Sequence, residues 1–373
     1  MRDIGDADMD KRTRSFIAKG AAVLGLAAGG AAVYKNKNDE KLFALGIRRS
    51  FGKNDVKRDA GLKAPEDVVR VTNLAYAEGA AAAHTAGDGA ACAAGDGAAC
   101  AAGDGAACVT GAEAASAVGA NAGKLDPEQL LDIYYPAGTA DKLPIIVSVH
   151  GGAYMYGNKE VYQYYCMSLA QKGFTVVNFN YRLAPEHKFP DQLKDINSVM
   201  KFVCGRAGEY WGDLDNVFFV GDSAGAQMAS QYLAAVTNPK YAQRLGLDVP
   251  VFTVRAAALN CGMYELDPVR DKMLIKCYLG SEEVMRSARM DVLANITGDY
   301  PPCFIMTSTG DFLRGNAEPM GDFLTRRGVE NEVHVYGTEE EPLGHVFHCD
   351  VRNPIAAVCN EEECEFFRRH MAK

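Results

Sequence analysis

The sequence predicts a doubly wound, mainly parallel α/β sheet, and two observations carry this. From Lys142 onward, short apolar runs rich in β-branched and aromatic residues alternate with longer helix-forming stretches, the rhythm of βαβ units. One of those runs, residues 216–220, leads without interval into Gly221-Asp222-Ser223-Ala224-Gly225 and then into a helix-forming stretch at 227–235. A strand, a turn of small residues around one serine, and a helix follow each other directly.

The elements read in order as follows. Residues 38–60 form a helix, with Phe43, Ile47 and Phe51 spaced by four and sharing one face, away from Arg48, Arg49 and Lys53. Residues 68–76 and 130–135 are strand-like and pair as a hairpin. Between them Gly-Asp-Gly-Ala-Ala-Cys recurs with period eight from Gly87, Gly95 and Gly103. Ala, Gly and a few aspartates bury too little apolar surface to offset ordering, so this insert reads as a loop expanded by repetition. A metal site of Asp88, Asp96 and Asp104 with Cys92, Cys100 and Cys108 is the alternative. Strands then fall at 143–149, 174–180, 216–220, 252–259, 303–308 and 332–336. Helices fall at 160–172, 190–205, 227–235, 315–327 and 353–371. Residues 263–299 fit none of these strands and read as a partly helical insertion above the strand ends.

The organisation expected is a leader over 1–37, lid helices over 38–66, and a core over 67–373 that carries the insert 77–124 and the lid insertion 263–299. In the leader, Lys11-Arg12-Thr13-Arg14 precedes 15 uncharged residues, Gly20 to Tyr34. As a helix these cover roughly 22 Å, against about 30 Å for a bilayer core. The segment reads as flexible, exported or anchored, and residues 16–34 are the place for any membrane contact.

Net charge is −9 and hydrophobic content 48%, ordinary for a folded enzyme. An acidic chain without a basic run excludes nucleic acid as a partner. The 11 cysteines include no C-x-x-C pair, so neither a disulfide framework nor a zinc site is indicated. Cys166, Cys204, Cys261 and Cys303 read as buried thiols, and this usage leans toward a reducing, cytoplasmic compartment.

The turn around Ser223 has the form of a nucleophile elbow, in which strain leaves the hydroxyl free at the end of the sheet. A serine needs a base, and the base needs a group that orients it. In such chains the order is serine, acid, histidine, each partner following a strand. Asp311 follows the strand ending near Ser308, and His345 follows the strand ending near Tyr336. His348, three residues on, is the rival base, His334 reads as packed within its strand, and Glu339, Glu340 and Glu341 face solvent. No metal and no cofactor are expected. The loop His150-Gly151-Gly152-Ala153-Tyr154 follows the first buried parallel strand, where backbone donors for an oxyanion belong. Gly152, Ala153 and Ala224 are the expected donors, with His150 bracing the loop.

These pieces resemble the hormone-sensitive lipase group of α/β-hydrolases, which includes bacterial carboxylesterases and arylacetamide-deacetylase-like enzymes. The resemblance rests on residues 150–154, Tyr181-Arg182-Leu183-Ala184-Pro185-Glu186-His187, Phe189-Pro190, the turn at 221–225, Pro301-Pro302, Asp311-Phe312-Leu313-Arg314 and His345-Val346-Phe347, in that order over about residues 125–370. It implies a serine esterase acting through an acyl-enzyme on small to medium esters, with helical lid elements. Amide cleavage by the same residues stays open, as does a non-catalytic binding protein on this fold. Two departures are Ala153, where the group has a third glycine, and Gly315, where an acidic residue is common after the arginine.

Overall fold

A computed structural model describes residues 39–77 and 126–372. The leader 1–37 and nearly all of the insert 77–124 lie outside the described residues. Eight strands form one sheet: β1 (Val68–Ala75), β2 (Leu130–Pro136), β3 (Leu143–Val149), β4 (Thr175–Phe179), β5 (Gly212–Asp222), β6 (Val254–Asn260), β7 (Cys303–Ser308) and β8 (Asn331–Tyr336). Their spatial order is β1-β2-β4-β3-β5-β6-β7-β8. β1 pairs antiparallel with β2, and β2 with β4. Every pairing from β4 to β8 is parallel. The predicted sheet is present, with the hairpin as its antiparallel edge and the insert leaving from the paired ends Ala75 and Leu130.

The central strands are apolar on both faces, so successive side chains feed two cores. Ile145, Val147 and Phe219 join one cluster, Ile146, Phe218 and Val220 the other. The first core is covered by α1 (Asp39–Asp59), α3 (Asp191–Arg206), α4 (Ala224–Thr237) and α5 (Pro239–Leu245). The second is covered by α2 (Lys159–Ala170) and α10 (Pro354–Arg369). Residues 263–299 hold three short helices, α6 (Lys272–Tyr278), α7 (Glu282–Met285) and α8 (Val292–Asn295), and α9 (Ala317–Arg326) links β7 to β8.

Several expectations are adjusted. The region 38–66 contains one helix, not several. α5 was not foreseen. β5 begins four residues before the apolar run, because Gly212 and Asp213 already pair with Leu143 and Pro144. Cys204 is only partly buried, unlike Cys166, Cys261 and Cys303.

The placement of the site follows from topology. From β3 the chain moves to β4 on one side, then returns to β5 on the other. In an open parallel sheet the crevice lies beyond the strand ends at such a switch point. The segments leaving β3 and β5 there are the loop beginning at His150 and the turn containing Ser223.

Candidate active site

Ser223 caps the N-terminus of α4 with φ 55° and ψ −116°. The turn is held by its backbone: Ser223 N–H donates to the Asn260 carbonyl (2.9 Å), and Met263 N–H donates to the Ser223 carbonyl (3.1 Å). The following helix presses against the loop after β3. A Cβ on Gly225 would lie 2.6 Å from the His150 carbonyl oxygen and closer still to that of Val149. Both obstacles are backbone, so no side chain is tolerated there.

Asp311 and His345 come together although 34 residues apart. His345 Nδ1 lies 2.8 Å from Asp311 Oδ1. An ionised carboxylate only accepts, so Nδ1 carries the proton and Nε2 is left as the basic nitrogen. Asp311 also accepts from the Leu313 N–H (2.8 Å) and from the Thr307 hydroxyl (2.8 Å). Burial alone would raise its pKa. The facing His345 and these donors outweigh that and bring it down to about 2. Phe312 packs against the imidazole at 4.4 Å between ring centroids.

The serine turn and this pair both adjoin the end of β6, the one through Asn260 and the other through Cys261. Cys261, the residue after Asn260, places its thiol with the Asp311 carboxylate and a ring nitrogen of His345 so that all ligand atoms lie within 4.8 Å of one another. Sulfur, nitrogen and oxygen at that spacing are a set that could hold a thiophilic metal. The residue was read from sequence only as a buried thiol. Burial holds that thiol well above its ordinary pKa.

The loop after β3 follows a left-handed backbone path. Gly152 has φ +113°, and a Cβ there would lie 2.6 Å from the Tyr156 carbonyl carbon. Ala153 and Tyr154 continue at φ 52° and 63°. Among the described residues no acceptor meets the N–H of Gly152 or Ala153. The Ala224 N–H belongs to the first turn of α4, where helix amides have no intrahelical partner. His150 braces the loop from below. It is fully buried, stacks on Tyr181 at 4.0 Å and donates Nδ1–H to the Gly151 carbonyl (2.8 Å). Burial lowers its pKa to about 4, so it stays neutral. Tyr181 in turn donates its hydroxyl to the His150 carbonyl (2.9 Å).

Asp222 supplies a link that sequence reading missed. It accepts from the Tyr162 hydroxyl (2.8 Å) and the Gly151 N–H (3.2 Å), joining the serine turn to the loop after β3. Burial pushes its pKa up to about 6 despite those donors. Glu363 of α10 likewise accepts from Tyr165 (3.0 Å) and from the Asn260 side chain (2.8 Å), supporting the β6 end. The rivals fall elsewhere. His348 is buried against Tyr165 and Cys349, its pKa lowered by burial to about 3. His334 stacks on Phe304, and Glu339, Glu340 and Glu341 are exposed.

A doubly wound sheet with a strand–serine–helix turn at its switch point and a His–Asp pair beyond β7 and β8 defines the α/β-hydrolase fold. Residues 131–313 match the family model described as BD-FAE. Over 218 residues the chain is 28% identical to the putative alpha/beta hydrolase R526 of Acanthamoeba polyphaga mimivirus, covering 55% of this chain and 63% of that protein. Over 222 residues it is 28% identical to carboxylesterase NlhH of Mycobacterium tuberculosis, covering 54% and 66%. The chain thus spans less than two thirds of these relatives. Among solved structures, esterase B of Lactobacillus rhamnosis inhibited by a tributyrin phosphonate superposes with TM-score 0.73 at 21% identity, over 90% of this chain and 96% of that one. That likeness is one of fold. Taken with the motif set, these matches make the chain similar to the hormone-sensitive-lipase-like group of α/β-hydrolases.

Proposed function

We propose that this protein hydrolyses carboxylic esters through an acyl-enzyme formed on Ser223. The observation that carries the proposal is the 2.8 Å contact between His345 Nδ1 and Asp311, which leaves Nε2 as the basic nitrogen. Ser223 Oγ attacks the acyl carbon while His345 Nε2 takes its proton. The oxygen that becomes negative is met by the N–H groups of Gly152, Ala153 and Ala224. Collapse breaks the ester bond, and His345 returns the proton to the departing alcohol. Water then attacks the acyl group with the same base, releasing the acid and restoring Ser223. Asp311 holds the imidazole tautomer and offsets the charge that builds on the ring.

Ester rather than amide substrates are favoured because NlhH, the relative named above, is a carboxylesterase. Lid roles for α1 and residues 263–299 are supported by their joint contact with the loop after β3. Tyr278 of α6 stacks on Tyr154 at 3.7 Å, Arg48 of α1 donates to the Met155 carbonyl (2.9 Å), and Glu40 of α1 pairs with Lys276 of α6 (3.8 Å). An acyl chain would then lie between these elements and the sheet. The test is turnover of p-nitrophenyl acetate and butyrate against matched anilides, with Ser223→Ala alongside. Expected is ester turnover that falls by at least about 10³ in the variant. Equal activity in both proteins rejects the proposal.

A further inference from the structure

The two faces of α1 differ sharply. Phe43, Ala44 and Ile47 are buried in the core. Arg48 donates to the Met155 carbonyl (2.9 Å) and the Ala184 carbonyl (3.1 Å), and Asp55 accepts from the Tyr156 hydroxyl (2.7 Å). This inner face therefore grips the segment just after the proposed oxyanion loop.

The outer face is of another kind. Its exposed charged residues between 41 and 57 are Lys41, Arg49, Lys53 and Lys57, all cations, and no carboxylate is exposed in that stretch. Leu42, Leu45 and Val56 are exposed beside them, at 52%, 42% and 75%. At about 100° per residue these seven positions fall within an arc of about 160°. A shallow depression on this face is lined by Arg49, Gly52, Lys53 and Val56 together with the stem of Arg48. On a chain of net charge −9, a wholly cationic face is a local inversion of sign. Cations interleaved with apolar side chains along one helical stripe match the two components of an anionic bilayer surface, its headgroup charge and its upper acyl layer. An acidic protein partner would use the charge but leave exposed leucines and valine without a counterpart. The helix also begins where the basic and apolar leader ends, with Lys11-Arg12-Thr13-Arg14 and the uncharged run 20–34 upstream.

We propose that the outer face of α1 is a contact surface for anionic lipid bilayers, laying the helix flat on the membrane with its inner face still holding the loop after β3. It lies flat rather than crossing, since among the described residues no helix is long and apolar enough to cross a membrane. The contact is independent of whether the protein cleaves esters, and it brings the proposed active site against the source of any lipid-derived substrate.

The test is co-flotation of the full chain with two kinds of vesicle. One is phosphatidylcholine alone, and the other carries phosphatidylserine as about a third of its lipid. Expected is binding to the anionic vesicles at least about a hundredfold above the neutral ones, falling steeply between about 0.05 M and 0.5 M salt. Each cation near such a surface contributes about fivefold, so the triple variant Arg49→Gln, Lys53→Gln, Lys57→Gln loses about a hundredfold. Its thermal melting stays that of the parent, because the three side chains are exposed. Three outcomes overturn the proposal. Equal binding to neutral vesicles, or unchanged binding by the triple variant, assigns the membrane contact to the leader instead. Binding of polyglutamate as tight as that of the anionic vesicles assigns the face to an acidic protein.

Discussion

Asp311→Asn separates the role of a charge from the role of a shape. In the folded protein the carboxylate accepts three hydrogen bonds, from His345, Leu313 and Thr307, and its pKa falls from an ordinary 3.8 to about 2. At 1.36 kcal/mol per pH unit, that depression corresponds to about 2.5 kcal/mol. The folded state holds the proton less tightly than the unfolded chain, so this stability is fully present above about pH 4. It disappears as the pH falls toward 2. Asparagine keeps the volume but replaces one acceptor oxygen with a donor, which cannot face three donors at once. The variant should therefore be destabilised by about 2–3 kcal/mol at pH 7 and should lack the parent's loss of stability between about pH 4 and pH 2. On the proposed mechanism its ester turnover also falls by about 10³–10⁴, because the imidazole is no longer held with Nδ1–H toward an anion. Urea unfolding at stepped pH values reads the first effect, and p-nitrophenyl butyrate kinetics at pH 7 the second. Turnover within tenfold of the parent, together with the expected destabilisation, would make Asp311 a structural residue and refute the catalytic assignment.

Three further substitutions probe the scaffold around the site. Gly225→Ala forces a methyl group onto the carbonyls of Val149 and His150 and should cost at least about 3 kcal/mol in urea unfolding, whereas Gly315→Ala, with nothing within 4 Å of its added Cβ, should stay within about 0.5 kcal/mol. Glu363→Gln removes a buried carboxyl whose pKa burial raises from 4.5 to about 7; a raised acid makes the parent lose stability as pH climbs through that interval, by about 3 kcal/mol, so the variant should gain on the parent by that amount between pH 5 and pH 8, and parallel stability curves would contradict it.

What could be read from the sequence is what local chemistry encodes. The buried strands announce themselves through runs such as Ile145-Ile146-Val147 and Phe218-Phe219-Val220, since a strand covered on both faces cannot alternate. The serine turn was legible because its strain demands small residues at fixed offsets. The pairing of Asp311 with His345 was legible because each follows a strand. α5 carried its signals, Asn238 and Pro239 at its start and Gly246 at φ 71° after its end, yet seven residues are too few for periodicity to stand out. The three helices of 263–299 begin on local caps or turns such as Ser281 and Asp291 and have no repeated apolar face. The supporting contacts were not legible at all. Tyr162 meets Asp222 across 60 residues, and Asn260 meets Glu363 across 103. Nothing near Glu363 in the sequence marks it out from its neighbours Glu361, Glu362 and Glu365.

The backbone itself shows why such remote support is needed. Among the described residues seven non-glycine residues have positive φ, and five of them, Ala153, Tyr154, Ser223, Cys261 and Val346, lie in the four segments that follow β3, β5, β6 and β8. Conformations of this kind cost of order 1–3 kcal/mol each and persist only where the surroundings over-determine them. Val346 is the most costly, since a β-branched side chain resists φ 53° most strongly, and it directly follows His345. At Cys261 the N–H is held by the Met306 carbonyl (2.6 Å). The Ser223 backbone is held by Asn260 and Met263, and Asn260 is held in turn by Glu363. The turns at Ser223 and Cys261 are thus tied to strand ends, and through Asn260 to a buried carboxyl group on another element. A fully buried Glu363 that resists ionisation is a poor choice for stability alone. It is reasonable where the strand end it secures must hold a strained serine turn in register with a histidine 122 residues later in the sequence.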